Sequence, residues 1–262
     1  MILLLQRLSI WTGCVLLVCV WGAFALLQRT IISLESWLPE SAYRKTRAHF
    51  SQTTILIIQA FFRLKLEIKR DVPEYLYNRP FVLVANHQSP FDIILIVHLF
   101  QLSDPHFVLR KGLEHGIPLF SYTARKKMNI ILDQENLAGT IRSLSLNAKK
   151  LCSGHYIVIF PEGIKNSKTY PQLQPFNHFG LRVLLKNTPP ETFVLPMTIY
   201  GTSHFFMSFR SGIHFGKTVQ IKILPPIFID QEDIKGVSCR CEEAIRKEYF
   251  KLAGGNSETE VL

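Results

Sequence analysis

Residues 81–92 read FVLVANHQSPFD, an apolar run that passes directly into a polar turn. The uninterrupted apolar residues from Phe81 to Ala85 are typical of a strand that is covered on both faces. Pro90 suits the first turn of a helix, so the apolar residues that follow, 91–100, are predicted to be helical. A buried strand followed by a turn and a helix is the unit from which parallel α/β sheets are built.

The same alternation of short apolar runs and amphipathic stretches continues along the chain. Further strands are predicted at 106–109, 128–132, 156–160, 193–197 and 219–223. Further helices are predicted at 136–152, 180–185 and 242–252. These elements indicate an α/β fold with a mainly parallel, helix-covered sheet over residues 75–252, followed by a polar tail at 253–262.

With 47% hydrophobic and 19% charged residues, the 262-residue chain is too apolar to be disordered. Its net charge of +10 predicts anionic partners, and the excess of lysine and arginine lies mainly within residues 40–70 and 110–127. No nucleic-acid recognition motif accompanies this charge. We therefore expect a phospholipid membrane and a phosphorylated substrate as partners, and no nucleic acid.

The N-terminal segment has the length and composition of a membrane span. Residues 8–27 carry no charge and lie between Arg7 and Arg29. A helix of that length spans roughly 30 Å, the thickness of a bilayer core, so residues 1–30 are predicted to be a transmembrane anchor. More basic residues follow the span than precede it, which favours a single-pass anchor with the α/β domain on the cytosolic side. Two alternatives remain: a cleaved signal peptide, because Ala23-Phe24-Ala25 resembles a cleavage site, and a buried core helix.

Residues 31–74 are predicted to form a basic, helical segment at the membrane interface. The uncharged run 51–62 is too short to cross a bilayer, and basic residues flank it. A helix from Tyr43 to Leu66 is therefore expected to lie on the cytosolic leaflet or partly in it. The alternative is a core helix that packs against the α/β domain.

His87 and Asp92 lie on either side of the turn that follows the strand 81–85. The first turn of the following helix can bring the carboxylate back to the imidazole. Such a pair makes a general base, because the aspartate keeps one ring nitrogen protonated and leaves the other free to take a proton from a hydroxyl. The alternative is that Asp92 only caps the helix. No metal-ligand spacing is present among the histidines, so no metal or cofactor is expected.

A second polar cluster, Phe160-Pro161-Glu162-Gly163, follows the buried strand 156–160. This cluster, preceded in the chain by Asn86-His87-x-x-x-x-Asp92, resembles the glycerolipid acyltransferase family, the lysophosphatidate acyltransferases and their relatives. Pro196, in the strand 193–197, matches the proline of the fourth motif of that family. The resemblance covers roughly residues 75–225.

The resemblance implies an O-acyltransferase of phospholipid biosynthesis that acts on 1-acylglycerol-3-phosphate. The acyl group would come from acyl-CoA or acyl carrier protein, which serve as substrates, and the product would be phosphatidate. In this family the residue that matches His87 deprotonates the acceptor hydroxyl, and the residue that matches Asp92 orients the imidazole. No serine or cysteine nucleophile is needed, because the acceptor oxygen attacks the thioester directly.

The resemblance also implies a set of residues that bind the acyl acceptor. The set consists of Phe160, Pro161, Glu162 and Gly163 of the third motif, with Pro196 of the fourth. Lys165, two places after Gly163, could add a cation for a phosphate.

The second motif departs from the family pattern. Family members commonly carry a phosphate-binding arginine where this chain has Gln134. Either the basic turn Arg125-Lys126-Lys127 supplies the missing charge, or the acceptor is another lysophospholipid. A non-enzymatic, membrane-attached lipid-binding protein is the alternative from a different functional class.

Overall fold

The structure is a computed structural model that describes residues 2–33, 40–73, 76, 79–101, 103–112, 129–133, 135–163, 173–206 and 213–254. Three predicted acceptor-binding residues, Lys126, Lys127 and Lys165, lie outside the described residues, as do Arg125 and Gln134.

Within the described residues one sheet contains all of the strands. These are β1 (Lys65–Arg70), β2 (Phe81–Ala85), β3 (Asp104–Arg110), β4 (Ile130–Leu132), β5 (His155–Ile159), β6 (Phe193–Tyr200), β7 (Thr218–Ile223) and β8 (Ile227–Phe228). The strand order is β1-β7-β6-β2-β5-β3-β4, and β8 pairs with β6 outside this order. Only β6 with β7 and β6 with β8 pair antiparallel among these strands, which confirms the predicted mainly parallel sheet.

Helices cover both faces of the sheet. They are α1 (Ile2–Ser33), α2 (Glu40–Phe62), α3 (Phe91–Leu99), α4 (Leu137–Lys149), α5 (His178–Asn187), α6 (Thr202–Phe205) and α7 (Ile234–Leu252). Alternate residues of β2 enter two separate cores: Phe81 and Leu83 pack with residues of α2 and α3, whereas Val82 and Val84 pack with residues of α4, α5 and α7. Burial on both faces explains why β2 has no polar residue.

The first strand of the sheet lies within the segment that the sequence assigned to a helix. The helix α2 ends at Phe62, Arg63 adopts a left-handed φ of 52°, and residues 65–70 form β1 along β7. The prediction that this helix extends to Leu66 is therefore wrong in its last part. Leu66 and Ile68 alternate with charged residues, which is the period of a half-exposed edge strand and not of a helix.

The helix α2 packs on the domain through one face. Its apolar residues Phe50, Ile55 and Ile58 are buried and belong to the same core as α3. On the same helix Arg47 is 1% exposed and donates hydrogen bonds to the Asp104 Oδ1 and Ser103 carbonyl oxygens, both at 2.9 Å. This side of α2 therefore fits the core-helix alternative.

Candidate active site

Two polar turns meet at one edge of the sheet. The strands β2 and β5 are parallel neighbours, with Val84 opposite Ile159, so their carboxyl ends lie side by side. The turn 86–90, which leads into α3, follows the first strand, and the turn 160–163 follows the second. In parallel sheets, substrates bind at this edge.

The structure brings His87 and Asp92 together as the spacing predicts. His87 Nδ1 lies 2.8 Å from Asp92 Oδ2, and the same oxygen accepts the backbone N–H groups of Gln88 at 2.7 Å and Ser89 at 2.9 Å. Asp92 is fully buried, whereas the His87 side chain is 18% exposed. Because the carboxylate accepts at Nδ1, that nitrogen carries the proton and Nε2 is the nitrogen that can act as a base. Asp92 lies in the first turn of α3. From there the same carboxylate accepts the backbone N–H groups of the preceding turn and orients the imidazole.

The side chain of Asn86, just before His87, takes the place of a backbone hydrogen-bonding partner for β6. Its amide donates to the Ile199 carbonyl at 2.7 Å and accepts from the Ile199 N–H at 2.8 Å. These two hydrogen bonds satisfy the backbone of β6 at the point where β2 leaves the sheet. The chain can therefore leave the sheet at His87 while the N–H and carbonyl groups of Ile199 stay paired.

Two residues of the second turn contact His87. The Phe160 ring stacks on the imidazole, with 4.2 Å between ring centres and 22° between planes. Glu162 Oε1 accepts the backbone N–H of His87 at 2.8 Å, and its Oε2 accepts that of Gln174 at 3.0 Å. Burial raises the pKa of Glu162, while the hydrogen bonds from these two N–H groups act in the opposite direction. In this arrangement Glu162 fixes the backbone of His87, and its part in acceptor binding stays a prediction.

Gly163 accepts a hydrogen bond from a cationic residue, Arg110, that no sequence motif indicated. The residue has a φ of 73°, and its carbonyl oxygen accepts a hydrogen bond from Arg110 Nη2 at 2.6 Å. Arg110 is the last residue of β3 and lines a depression of about 330 Å³ with Lys111, Leu132, Asp133 and Glu135. Its place at the carboxyl end of a strand was the signal that could have indicated it.

A family comparison decides what this arrangement is. The acyltransferase family model matches residues 63–224, which include both polar turns and Arg110. The chain belongs to the acyltransferase family. This result confirms the resemblance that the motifs at 86–92 and 160–163 indicated.

Named relatives of the acyltransferase differ in substrate. The lyso-ornithine lipid O-acyltransferase of Rhizobium meliloti is 27% identical over 48% of this chain and 40% of its own length. The chloroplastic 1-acyl-sn-glycerol-3-phosphate acyltransferase of Brassica napus is 24% identical over 78% of this chain and 56% of its own length. The chain thus spans about half the length of these curated relatives.

A solved structure has the same fold. The 1-acyl-sn-glycerophosphate acyltransferase PlsC from Thermotoga maritima matches with a TM-score of 0.67 and 20% identity, over 97% of this chain and all of that one. This likeness confirms the predicted α/β fold with its N-terminal helix.

Two further predicted site residues, Pro161 and Pro196, are buried. Pro161 lies between Phe160 and Glu162, and its carbonyl oxygen accepts the N–H of Asn177 at 2.8 Å. Pro196 lies within β6, opposite Val84. Its contact with an acceptor stays a prediction. Among the described residues no three His, Cys, Asp or Glu side chains form a group that could hold a metal ion.

Proposed function

We propose that this acyltransferase moves a fatty acyl group from acyl-CoA, or acyl carrier protein, to the free hydroxyl of 1-acylglycerol-3-phosphate, giving phosphatidate. The observation that carries the proposal is the His87–Asp92 pair, with a buried carboxylate on Nδ1 and a partly exposed imidazole. Glu162 and Phe160 support it, because they hold the backbone and the ring of His87.

The chemistry follows from Nε2 of His87, the ring nitrogen that Asp92 does not bind. This nitrogen takes the proton of the acceptor hydroxyl as the oxygen attacks the thioester carbon, and a C–O bond forms. When the C–S bond breaks, the imidazolium returns the proton to the leaving thiolate, which departs as a thiol. Asp92 keeps Nδ1–H in place and stabilises the imidazolium throughout. The reaction therefore balances with the two substrates alone, because His87 returns the proton that it took.

Arg110 supports an acceptor that carries a phosphate. It lies on β3, two strands from β2, which is about 10 Å at ordinary strand spacing. Its guanidinium contacts Gly163 in the turn that also holds His87. A phosphate monoester carries close to two negative charges, and an arginine can meet two of its oxygens at once. Lys165 and the turn 125–127 are the further cations that the sequence offers.

Acyl transfer to another lysophospholipid is the second candidate. Gln134 stands where the family commonly has a phosphate-binding arginine, and its neighbours Asp133 and Glu135 line the depression next to Arg110. Carboxylates at that place would favour an acceptor whose headgroup also carries a positive charge.

A competition assay distinguishes these acceptors. Purified enzyme in neutral detergent is given one labelled acyl-CoA and equimolar lysophosphatidate, lysophosphatidylethanolamine and lysophosphatidylcholine. We expect labelled phosphatidate as the main product. A preference for another lysolipid would replace the proposed acceptor by the second candidate. Binding of lysolipids without any transfer would favour the non-enzymatic alternative.

Arg110→Ala is expected to raise the KM for lysophosphatidate by roughly 10–100-fold, because a charge-assisted contact contributes about 1.5–3 kcal/mol. The KM for acyl-CoA should stay unchanged in the same initial-rate measurements. The matched control is Arg240→Ala, which removes an exposed arginine of α7 that pairs with Asp233. An unchanged acceptor KM in a variant that still prefers lysophosphatidate would contradict the role of Arg110.

We further propose that α1 anchors the acyltransferase to a membrane, with the α/β domain on the cytosolic side. Among the described residues, Leu5–Leu27 is the one stretch of helix that is long and apolar enough to cross a bilayer. One side of α1 contacts α2: Ser9 donates to the Phe61 carbonyl, and the rings of Phe24 and Phe50 stack at 3.9 Å. The other side exposes large apolar residues, namely Leu5, Leu8, Trp11, Val15, Val18, Leu26 and Leu27.

Thiol labelling tests the orientation of the domain. Cys152 is exposed on the α/β domain, in the segment between α4 and β5. A membrane-impermeant maleimide should label Cys152 and the likewise exposed Cys239 in inside-out vesicles and not in intact cells, with the double variant Cys152→Ser, Cys239→Ser as the control. Labelling in intact cells would place the domain on the opposite side.

A further inference from the structure

The side chain of Gln88 fixes the position of the turn that contains His87, although it takes no part in the acid–base chemistry. Gln88 follows His87 directly and is fully buried. Its Oε1 accepts the backbone N–H of Gly201 at 3.1 Å, and its Nε2 donates to the Tyr249 hydroxyl at 2.6 Å. One amide therefore ties the turn to the start of α6 and to the C-terminal helix α7.

The backbone at Gly201 is a fixed partner for this amide. Gly201 has a φ of 90°, and a Cβ there would lie 2.4 Å from the carbonyl oxygen of Thr218. Only glycine fits this conformation and this close approach to β7. The close packing of Gly201 against β7 therefore fixes the position of the N–H group that donates to Gln88.

Tyr249 is an equally fixed partner on the other side. It is fully buried near the end of α7, and its ring packs edge-on against Tyr200 with 5.6 Å between ring centres. Burial raises the pKa of the Tyr249 hydroxyl, and the nearby Tyr200, Glu162 and Asp92 act in the same direction. The phenol therefore stays neutral and can accept the Gln88 amide.

The amide of Gln88 is coupled to the catalytic pair through the main chain. The backbone N–H groups of Gln88 and Ser89 donate to the same Asp92 oxygen that binds His87 Nδ1. A shift of the main chain at Gln88 therefore moves the hydrogen bonds that place Asp92, and with them the imidazole.

We propose that Tyr249, acting through Gln88, is a positioning residue for the His87–Asp92 pair. The kinetic part of this proposal rests on the proposed acyl transfer. Tyr249 lies outside the residues matched by the acyltransferase family model, which end at residue 224. The C-terminal helix thus contributes to catalysis as well as to the cover of the sheet.

Tyr249→Phe removes the hydroxyl and keeps the ring. We expect kcat to fall about tenfold, since one buried hydrogen bond to the turn is lost, while the KM values for acyl-CoA and acceptor change by less than about twofold. The matched control is Tyr156→Phe. Tyr156 is just as buried, at the start of β5, and its hydroxyl has no hydrogen-bond partner among the described residues. The control should keep the wild-type kcat.

A double-mutant cycle separates positioning from a general structural effect. In an Asp92→Asn background the pair is already impaired, so adding Tyr249→Phe should lower kcat by less than about twofold further. An independent structural contribution would instead multiply with the effect of Asp92→Asn. Gln88→Met, which keeps length and loses both hydrogen bonds, provides a second variant and should give the same loss of kcat.

The reactivity of His87 gives a readout that needs no acyl transfer. Diethyl pyrocarbonate should modify His87 several-fold faster in Tyr249→Phe than in wild type or Tyr156→Phe, as followed by peptide mass spectrometry. An unchanged kcat with an unchanged rate of His87 modification would overturn the inference, as would multiplicative effects in the cycle. If the wild type acylates no lysolipid, the proposed function fails, and the modification rates still decide the inference.

Discussion

Replacing His87 by alanine is expected to lower kcat by about 10²–10⁴-fold, because the variant has no base to take the proton of the acceptor hydroxyl. The protein should remain folded. Asp92 keeps the N–H groups of Gln88 and Ser89 as partners, so its buried carboxylate is not left without hydrogen bonds. Initial rates with saturating acyl-CoA and acceptor measure the loss.

A control histidine shows whether the loss belongs to the site. His49 is exposed on α2 and hydrogen-bonds only within its own helix among the contacts that the described residues show. His49→Ala should keep the wild-type rate. A folded His87→Ala protein with wild-type turnover would refute the role of His87 as the base.

Removal of the Asp104 carboxylate should destabilise the protein by about 3–5 kcal/mol, because it leaves a buried guanidinium without a counter-charge. Asp104 is 1% exposed and accepts hydrogen bonds from both Arg44 and Arg47. These contacts join α2 to the start of β3. The free energy of unfolding of Asp104→Ala, from denaturant titration in detergent, gives the effect.

An exposed ion pair and an apolar replacement provide the comparisons. Lys65→Ala breaks the exposed pair with Glu67 and should cost less than about 1 kcal/mol. The double variant Arg47→Met, Asp104→Leu should recover much of the loss, since it removes both charges together. A loss below about 1 kcal/mol for Asp104→Ala would show that solvent reaches Arg47 in solution.

The parts of the fold that could be predicted are those with an unambiguous local pattern. Residues 81–85 are apolar throughout because β2 is buried on both faces, and the turn that follows contains the polar residues of the site. The edge strand β1 was missed for the opposite reason. Four of its six residues are charged, so its alternation is weak, and the apolar run of α2 immediately before it favoured a longer helix.

The contacts that could not be predicted join residues far apart in the chain. Arg110 meets Gly163 across 53 positions, and Gln88 meets Tyr249 across 161. No local pattern encodes either pair, because each depends on the order of the strands and on where α7 packs. The pairing of His87 with Asp92 spans only five positions, which is why spacing alone indicated it.

Because β1 pairs with β7, β1 stays without its partner strand during most of the synthesis of the sheet on the ribosome. Lys65 pairs with Thr218, so the strand that comes first along the chain finds its partner among the last. At about 5–20 residues per second, translation needs roughly 7–30 s to add the residues between these two strands. Throughout that interval β1 is an unpaired edge next to helices that already expose apolar surface, a state that invites aggregation. A nascent chain released before β7 is complete is therefore a natural client for chaperones.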